Sequence, residues 1–394
     1  MYNIKLYNII NETPWEVSFS QRVAHMLEMK KMGLKVVCYL YESADTSTFR
    51  YRVYNMCQAL EVGLEWRGIY FFDRELENIY QFIDYMDVVI VCRFRWNSRI
   101  DKIIDFFHEN HKIVAFDTDD MIYNEKYIPY IMNTLAVQET EERLNYWFSY
   151  INRISAVEKK CDVLTTTNKY LADVMQRDLN KKVYITQNFL NRIQLEVSDA
   201  YYLQKKQQCS EDEFVIGYFS GTPSHINDFR VVAPELKQLL EENENIKLRI
   251  VGFMEIPAYL NDLVNNGQIE YEPLVTFAEL QKKIAEVDVN IAPLVVNQFT
   301  NCKSELKYFE AAIVGTTTCA TPTFAFQQGI IHEEDGYLCE QGYWYDILRN
   351  LYYNRIKGNI QLNERAREKC IEKYAYYNQT NYLERILNQI TGGK

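Results

Sequence analysis

The sequence predicts an α/β protein built on open parallel sheets, and three observations support this fold class. Short runs rich in β-branched and aromatic residues alternate with helical patterns along most of the chain, as in KVVCYLY at 35–41. Such runs are almost continuously apolar, which is typical of strands buried on both faces of a sheet. The 394 residues exceed what one core usually holds, so two domains are expected, joined where the polar stretch 192–213 interrupts the alternation.

The composition is that of a soluble globular protein, and it argues against a broad role in nucleic-acid binding. Hydrophobic residues make up 47% of the chain and charged residues 25%, and the formal net charge is −11. Such an acidic chain lacks the basic surface that non-specific binding of nucleic acid requires. Lysine pairs such as 159–160 leave open a peripheral contact with an anionic membrane, beside the simpler alternative of solvated side chains.

Cysteine, histidine and hydropathy patterns predict a cytoplasmic protein without a bound metal. The nine cysteines stand singly, without a C-x-x-C pair, which indicates small buried side chains in a reducing compartment. The five histidines show no metal-ligand spacing. The first residues resemble no secretion signal, and no apolar run approaches the ~18 residues of a membrane span. We therefore expect a cytoplasmic location, with the inner face of the cell membrane as an alternative.

The first half of the chain contains a regular succession of predicted strands, at 35–41, 68–72, 87–92, 112–116, 162–166 and 182–185. Charged residues recur in the loops that follow these strands: Arg50, Arg52, Arg93, Arg95, Asp117, Asp119 and Asp120. Each residue alone fits a salt bridge or a helix cap better than a ligand contact. Because ligands bind beyond the carboxyl ends of parallel strands, the recurrence at successive strand ends favours one common cleft.

The second half repeats the alternation, with predicted strands at 214–219, 247–253, 269–274, 288–294 and 316–322 and a helical end at 343–390. The first of these strands runs into the small-residue loop SGTPSH at 220–225 and then into a helix. A strand, a loop of small residues and a helix in this order suit a phosphate group. The loop is weak evidence by itself, because it lacks the G-x-G-x-x-G fingerprint and the lysine of a P-loop.

The stretch NCKSELKYFEAAIVGTTTCATP at 301–322 predicts a short helix that ends at Gly315, with Ser304 as its N-cap. Lys303, Lys307 and Glu310 are three, four or seven positions apart, so they share a face at or near the positive end of this helix. Two cations there favour an anion such as a diphosphate, and the acid suits the hydroxyl groups of a nucleoside. The alternative is an ordinary helix with one solvated charged face.

These residues carry a resemblance to a known family. The segments IGYFSGTPSHINDF, LRIVGF, DVNIAPL and the K-S-x-L-K-x-x-E helix at 303–310 resemble the donor domain of group-1 (family 4) glycosyltransferases. The first half is similar to a branch whose acceptor domain carries R-Y-R at a strand end, here 50–52, and an F-D-x-D-D loop, here 116–120. The resemblance implies the GT-B architecture, in which two Rossmann-like domains with parallel sheets face each other across a cleft.

The implied domains are an acceptor-side domain at 1–191, a linker at 192–213, a nucleotide-sugar donor domain at 214–365 and a C-terminal helix at 366–394 that packs back on the first domain. The implied reaction is the transfer of a hexose or deoxyhexose from a nucleoside diphosphate sugar to a saccharide or lipid-linked acceptor. Retention of the anomeric configuration and independence of metal and cofactor are also implied. The pathway would be synthesis of a surface polysaccharide or glycoconjugate.

Carried over position by position, the resemblance assigns donor contacts to Gly221, Thr222, His225, Ser304 and Glu310, the last on the ribose. Lys303 and Lys307 would act in catalysis by neutralising the diphosphate. Two departures from the family pattern concern the donor side. Cys302 stands where many members have a glutamate assigned to the transferred sugar, and the usual Arg and Lys pair after the first donor-domain strand is missing, with His225 as a substitute.

On the acceptor side, the resemblance assigns binding to Arg50, Arg52 and Arg93, and a catalytic role in orienting the acceptor to Asp119 or Asp120. The DTDD loop looks like a metal-binding D-x-D motif, but its position in the acceptor domain favours hydroxyl binding or structural hydrogen bonds instead. Asp117 fits the structural role best of the three. Two alternatives stay open: an epimerase of nucleotide sugars with the same shape, and a non-catalytic protein that binds a nucleotide sugar or a partner.

Overall fold

The computed structural model describes residues 13–135, 137–207, 213–221, 226–354 and 359–392. These residues form two six-stranded sheets. The first sheet contains β1 (Lys35–Tyr41), β2 (Trp66–Phe72), β3 (Val88–Cys92), β4 (Ile113–Thr118), β5 (Val163–Thr166) and β6 (Val183–Ile185). The second contains β7 (Phe214–Ser220), β8 (Ile246–Gly252), β9 (Ile269–Glu272), β10 (Val289–Ala292), β11 (Thr317–Ala320) and β12 (Tyr337–Leu338).

All strand pairs in both sheets are parallel. The strand order is β2-β1-β3-β4-β5-β6 in the first sheet and β9-β8-β7-β10-β11-β12 in the second. The order reverses between β1 and β3 and again between β7 and β10. Open parallel sheets bind ligands beyond the carboxyl ends of their strands at such a switch point. The predicted α/β class with two parallel sheets is therefore confirmed.

Helices connect the strands of each sheet. The first domain contains α1 (Phe19–Lys31), α2 (Asn55–Leu60), α3 (Ser98–Glu109), α4 (Ile128–Thr134), α5 (Glu141–Lys160) and α6 (Lys169–Leu179), and α7 (Arg192–Gln207) follows β6. Then come α8 (Ile226–Arg230), α9 (Ala233–Glu242), α10 (Asn261–Asn265), α11 (Phe277–Ala285), α12 (Gln298–Asn301), α13 (Leu306–Ala312), α14 (Phe324–Gly329), α15 (Trp344–Tyr353), α16 (Asn359–Tyr374) and α17 (Tyr376–Ile390). None of the helices in the described ranges is both long and apolar enough to cross a membrane.

Local sequence explains most of these elements. The central strands β1 and β7 are rich in β-branched and aromatic residues and are buried along nearly their whole length. Asn97, Thr140 and Asn168 precede α3, α5 and α6, and each side chain accepts a hydrogen bond from a backbone N–H group of the first turn. Caps of this kind satisfy donors that the helix itself leaves unpaired.

A helix occupies most of the polar stretch at 192–213 that was predicted to be a linker. The inward face of α7 consists of Gln194, Val197, Ser198 and Tyr201, which are all buried. Ser198 Oγ lies 3.2 Å from the Gln281 side chain of α11, so α7 packs on the second domain. Two of the four inward positions are polar, which is why the apolar periodicity of a helix was not visible in the sequence.

The end of the chain returns to the first domain. In α17, the Thr380 hydroxyl donates to the carbonyl oxygen of Ala59 at 2.7 Å, and the Tyr382 hydroxyl donates to that of Ile185 at 2.8 Å. The carboxylate of Glu384 accepts from the backbone N–H of Trp66 at 3.0 Å. The last helix is therefore fastened to α2 and to the edges of the first sheet, although it follows the second sheet in sequence.

The two domains also share an apolar contact. The ring of Trp15 in the first domain stacks on that of Phe277 in the second at a centroid distance of 5.6 Å, and one core cluster of buried residues continues across both domains. Large apolar contacts of this kind favour a defined relative position of two domains.

Candidate functional site

The last residues of the loop that was predicted at 42–52 are helical in the structure. Arg50–Tyr54 forms a π-helical turn that continues directly into α2. Such turns insert one extra residue into a helix and occur often at functional sites. The side chains of the R-Y-R motif consequently lie in a buried turn after β1. Tyr51 reaches Glu310 of the second domain, whereas Arg52 reaches Asp117 of the first.

Arg93 and Asp119 form an ion pair at the switch point of the first sheet. Arg93 follows β3 with a left-handed φ of 44°. Its Nη1 lies 2.9 Å from the Asp119 carboxylate and 2.9 Å from the Thr48 hydroxyl. Burial acts to raise the pKa of Asp119, but the charges of Arg93 and Arg52 outweigh burial and hold this pKa below its usual value. Asp119 is therefore an anion at neutral pH, on the side of the cleft predicted for the acceptor.

All five N–H donors of the Arg52 guanidinium bind residues of the first domain. Its guanidinium group donates to both carboxylate oxygens of Asp117 at 3.0 and 2.6 Å, and to the carbonyl and hydroxyl oxygens of Thr186. The fifth donor reaches Asn188 Oδ1 at 3.1 Å. A guanidinium has five N–H donors, so none is left for an acceptor substrate in this arrangement. The geometry supports the structural role predicted for Asp117 and gives Arg52 the same role in this structure, while the acceptor contact of Arg52 stays a prediction.

Lys303 and Asp120 meet across the two domains. The Nζ atom of Lys303 lies 3.0 Å from the Asp120 carboxylate and 4.3 Å from the centroid of the Phe299 ring. The sequence assigned these two side chains to different substrates, one to the diphosphate and the other to the acceptor. The structure brings them into direct contact, because the DTDD loop and the segment before α13 come from facing edges of the two domains. A donor that binds Lys303 must therefore separate this pair or share the lysine with it.

Lys307 is a cation in a poorly hydrated position. Burial lowers the pKa of this amine to about 8, although the charges of Asp228 and Glu310 act in the opposite direction. Its Nζ atom lies 5.0 Å from the centroid of the Tyr218 ring on β7. Among the described residues, no carboxylate lies within ion-pair distance of Lys307. An anionic ligand here would provide Lys307 with an ion-pair partner and would stabilise the charged form of its amine.

Glu310 lies in the contact between the domains. It is 4% exposed, it accepts a hydrogen bond from the Tyr51 hydroxyl, and it lies 3.5 Å from Nη2 of Arg50. Arg50 is also buried, and its Nη1 has no hydrogen-bond partner in the described part of the chain. The predicted ribose ligand and the predicted acceptor ligand are therefore neighbours. A buried donor without a partner is costly, and a bound ligand is one way to satisfy it.

The start of the helix that bears Lys307 and Glu310 differs from the prediction. α13 begins after Glu305, no side chain caps it, and the Ser304 hydroxyl instead accepts a hydrogen bond from Asn188 Nδ2 at 3.0 Å. Ser304 as N-cap is therefore wrong, because its side chain is held by the first domain. The predicted end is confirmed: Gly315 has a left-handed φ of 70°, and a Cβ there would lie 2.8 Å from the Tyr202 ring.

The backbones of β7 and β8 approach each other closely at their carboxyl ends. Gly252 ends β8 with φ of 100°, and a Cβ atom there would lie 1.9 Å from the carbonyl oxygen of Ser220. Only glycine permits this approach. Gly221, a predicted donor contact, follows Ser220 at this edge, whereas Thr222 and His225 lie outside the described residues.

Several side chains of the site were missed in the sequence. Tyr51 is the middle residue of the R-Y-R motif, and Asn188 belongs to the TQNFLN segment after β6, which was noted only for its position. Asn168 donates from Nδ2 to the carbonyl oxygen of Cys302 at 2.8 Å. All three lie at or near strand ends of the first sheet, and this common position was the signal that could have identified them.

Comparisons with known proteins agree with this architecture. No protein-family model matches the chain, and no curated protein matches it. A glycosyltransferase from Rickettsia africae is 11% identical with a TM-score of 0.61, over 92% of this chain and 100% of that one. HepE from Anabaena, solved with UDP and glucose, is 10% identical with a TM-score of 0.58, over 89% and 99% of the two chains.

Sucrose-phosphate synthase from Thermosynechococcus elongatus is 13% identical with a TM-score of 0.58, over 91% of this chain and 100% of that one. Identities of this size establish the fold and not the reaction. The two parallel sheets, their strand orders and these matches lead to one conclusion about the architecture. The chain has the GT-B fold, with two Rossmann-like domains that face each other across a cleft.

Proposed function

We propose that this protein is a retaining glycosyltransferase that moves a hexose or deoxyhexose from a nucleoside diphosphate sugar to a hydroxyl group of a saccharide or lipid-linked acceptor. The main support is the placement of Lys307 near β7 of the second sheet's switch point, as a partly buried amine whose pKa is lowered to about 8. Such an amine gains most from a strongly anionic ligand. The surface polysaccharides and glycoconjugates of a cell are the products expected of this reaction.

Solved structures with the same fold support the choice of donor. HepE has been solved with UDP and glucose, and an α-glucosyltransferase with a TM-score of 0.59 to this chain has been solved with UDP. Lys303 and Lys307 would face the diphosphate of such a donor, and Glu310 would accept hydrogen bonds from its ribose. The carboxylates of Asp119 and Asp120 would orient the acceptor from the other domain.

The proposed catalysis depends mainly on stabilising the leaving group. As the glycosidic bond breaks, negative charge accumulates on the departing diphosphate, and nearby cations interact more strongly with the transition state than with the bound donor. Lys303 and Lys307 supply this positive charge, so we propose that no divalent metal or other cofactor takes part. A diphosphate oxygen would accept the acceptor proton in a front-face reaction that retains the anomeric configuration.

Donor entry requires the contacts between the domains to open. The pairs Lys303–Asp120 and Glu310–Tyr51 join the two sides of the proposed donor site. A diphosphate would replace Asp120 at Lys303, and the ribose would replace the Tyr51 hydroxyl at Glu310. Closure around the bound donor would then exclude water, which protects the reactive sugar from hydrolysis.

A nucleoside diphosphate alone should stabilise the protein. At 100 times its dissociation constant, UDP should raise the free energy of unfolding by about 2.7 kcal/mol, measured as a thermal shift of the full chain. The same shift should appear with EDTA in place of magnesium ions. As a control, Lys282→Ala removes a half-exposed lysine of the same domain and should keep the shift. A panel of uridine, guanosine and adenosine diphosphates without any shift would exclude the proposed donor site, and a shift that requires magnesium would exclude metal independence.

Affinity for the nucleoside diphosphate should fall with rising pH. Lys307 has a pKa of about 8 in the free protein, so its charged fraction falls about tenfold between pH 7 and pH 9. If only the charged amine holds the diphosphate, the dissociation constant for UDP should rise about tenfold over this range. Lys307→Arg keeps its charge at both pH values and should show a flat profile in the same calorimetric titration. Parallel profiles for the two proteins would contradict a contact between Lys307 and the diphosphate.

A second candidate function is the binding of a nucleotide sugar without transfer. Cys302 favours it, because this thiol is fully buried where related enzymes carry a glutamate, and burial raises its pKa well above the usual value. The two lysines and Glu310 count against it. Binding of a nucleoside diphosphate without product from a broad donor and acceptor panel would establish this alternative, and NMR detection of an epimerised sugar would establish an epimerase.

A further inference from the structure

A cluster of aromatic side chains on α5 lies next to the acceptor side of the cleft. Tyr150 follows Tyr146 by four positions and Trp147 by three, so its ring lies beside both of theirs on the helix surface. Tyr146 and Tyr150 are stacked at a centroid distance of 6.0 Å, and Trp147 lies edge-on to Tyr150 at 6.0 Å. The Tyr146 residue is 54% exposed. This cluster, here called the aromatic platform, presents the ring of Tyr146 to solvent, while Trp147 and Tyr150 are partly buried against the core of the first domain.

The aromatic platform adjoins a polar pair at the strand ends. The guanidinium carbon of Arg95 lies 5.6 Å from the centroid of the Tyr150 ring. Both oxygens of Glu42, the residue after β1, hold Arg95 through its side chain, and one of them also accepts from its backbone N–H at 2.7 Å. This pair is partly exposed, so its charged groups remain accessible from solvent.

The same polar surface continues to Arg93. Burial acts to lower the pKa of Arg93, but Asp119, followed by Tyr150 and Tyr41, outweighs burial and raises this pKa. Arg93 stands two residues before Arg95 in the loop after β3, and it is the ion-pair partner of Asp119 in the proposed reaction site. The aromatic platform thus contacts the Glu42–Arg95 pair through Tyr150, and the same loop after β3 carries Arg93 with its partner Asp119.

This combination of groups suits a sugar ring better than a membrane surface. The C–H face of a pyranose is apolar and packs flat on an aromatic ring, while its hydroxyl groups need donors and acceptors at the rim. Arg95 and Glu42 offer both. An anionic bilayer would instead require excess positive charge, but the charge of Arg95 is balanced by Glu42, and Glu141 and Glu142 open the same helix.

We propose that the aromatic platform, together with Arg95 and Glu42, is a subsite for a pyranose unit of a saccharide acceptor, outside the reaction centre. The inference rests on the proposed transferase function and specifies its acceptor as an oligosaccharide or polysaccharide chain. A sugar unit stacked on the exposed ring of Tyr146 would direct the next unit of the chain past Arg95 toward Arg93 and Asp119. Such binding remote from the reacting hydroxyl would select long acceptors over single sugars.

The test is binding of the full chain to a printed array of bacterial polysaccharides and their oligosaccharide fragments, with UDP present. The wild-type protein should bind at least one saccharide, and Tyr146→Ala should lower its affinity about tenfold, the scale of one lost aromatic contact. Tyr146→Phe keeps the ring and should keep most of the affinity. Tyr377→Ala is the matched control, since it removes a tyrosine that is 47% exposed on α17, and it should bind as the wild type does.

Two outcomes would overturn the subsite: no saccharide of the array binds the wild type, or Tyr146→Ala binds as well as the wild type does. A parallel flotation experiment uses vesicles of phosphatidylcholine and phosphatidylglycerol at a ratio of about 7 to 3. Vesicle binding that Tyr146→Ala abolishes, with saccharide binding unchanged, would assign the platform to a membrane instead.

The thermal shift by UDP distinguishes failure of the proposed subsite from failure of the proposed donor site. Loss of saccharide binding with an intact UDP shift supports the subsite, whereas a wild type that UDP does not stabilise refutes the donor site and leaves the array result to be judged by itself.

Discussion

Replacing Lys307 by alanine should lower turnover about 10²- to 10³-fold, which is the scale of removing one preorganised contact to transition-state charge. The diphosphate gains charge as the sugar leaves, so a cation beside it stabilises the transition state more than the bound donor. Affinity for the donor should consequently fall less than turnover does. The measurement is release of nucleoside diphosphate from the most active sugar donor of a panel, at saturating acceptor.

Lys303→Ala should show a smaller loss than Lys307→Ala, of about 10²-fold. Lys303 already has a carboxylate partner, since its Nζ lies 3.0 Å from Asp120, whereas no carboxylate of the described residues lies within ion-pair distance of Lys307. The diphosphate must compete for Lys303 but not for Lys307. Lys282→Ala removes a half-exposed lysine of the same domain and should leave turnover unchanged.

Two results for the lysine variants would contradict this account. If both lysine variants fold, as judged by circular dichroism, and retain wild-type turnover, the charged face of α13 is a solvated surface without a role in transfer. If Lys303→Ala instead loses more activity than Lys307→Ala, the diphosphate lies closer to the DTDD loop than we propose. Either outcome can be read from the same kinetic series.

Arg52→Met should lower the free energy of unfolding by about 3–5 kcal/mol, because it leaves the Asp117 carboxylate buried without its cation. The pair lies 2.6 Å apart, and the two side chains are 1% and 3% exposed. The Thr165 hydroxyl also donates to Asp117 at 2.6 Å, so part of the carboxylate stays satisfied. The measurement is the midpoint of urea unfolding followed by circular dichroism.

Two further variants test the reason for this loss. Asp117→Leu combined with Arg52→Met removes the unpaired charge and should recover part of the stability. Lys169→Met breaks an exposed pair with Asp173 and should change the free energy of unfolding by less than about 0.5 kcal/mol. A similar small change for Arg52→Met would mean that Arg52 is not needed to hold the strand ends of the first sheet.

The sequence by itself determined the fold class and the general position of the site. Alternating strand and helix patterns predict parallel sheets, because a parallel connection must cross back over the sheet and usually does so as a helix. Charged residues after successive strands predict a common cleft, because the carboxyl ends of parallel strands meet at one edge. Arg93 and Asp119 follow this rule: they come after different strands and lie 2.9 Å apart.

Elements whose buried face is partly polar could not be recognised in the same way. The inward face of α7 contains Gln194 and Ser198, and the periodicity of apolar residues is therefore interrupted. Ser304 has the residue type and position of an N-cap, but its hydroxyl is held by Asn188 of the other domain. A local pattern describes only what neighbouring residues offer, and a competing partner from a distant segment is not part of it.

Only the tertiary structure decided which charges meet. Lys303 and Asp120 are 183 positions apart in sequence, and Tyr51 and Glu310 are 259 positions apart, yet both pairs are in contact. The energy of a charge pair depends on distance and on the surrounding medium, and the order of residues in the chain specifies neither for distant segments. The lowered pKa of Lys307 has the same origin, because the partial burial of its side chain results from the packing of α13 against β7 and neighbouring segments.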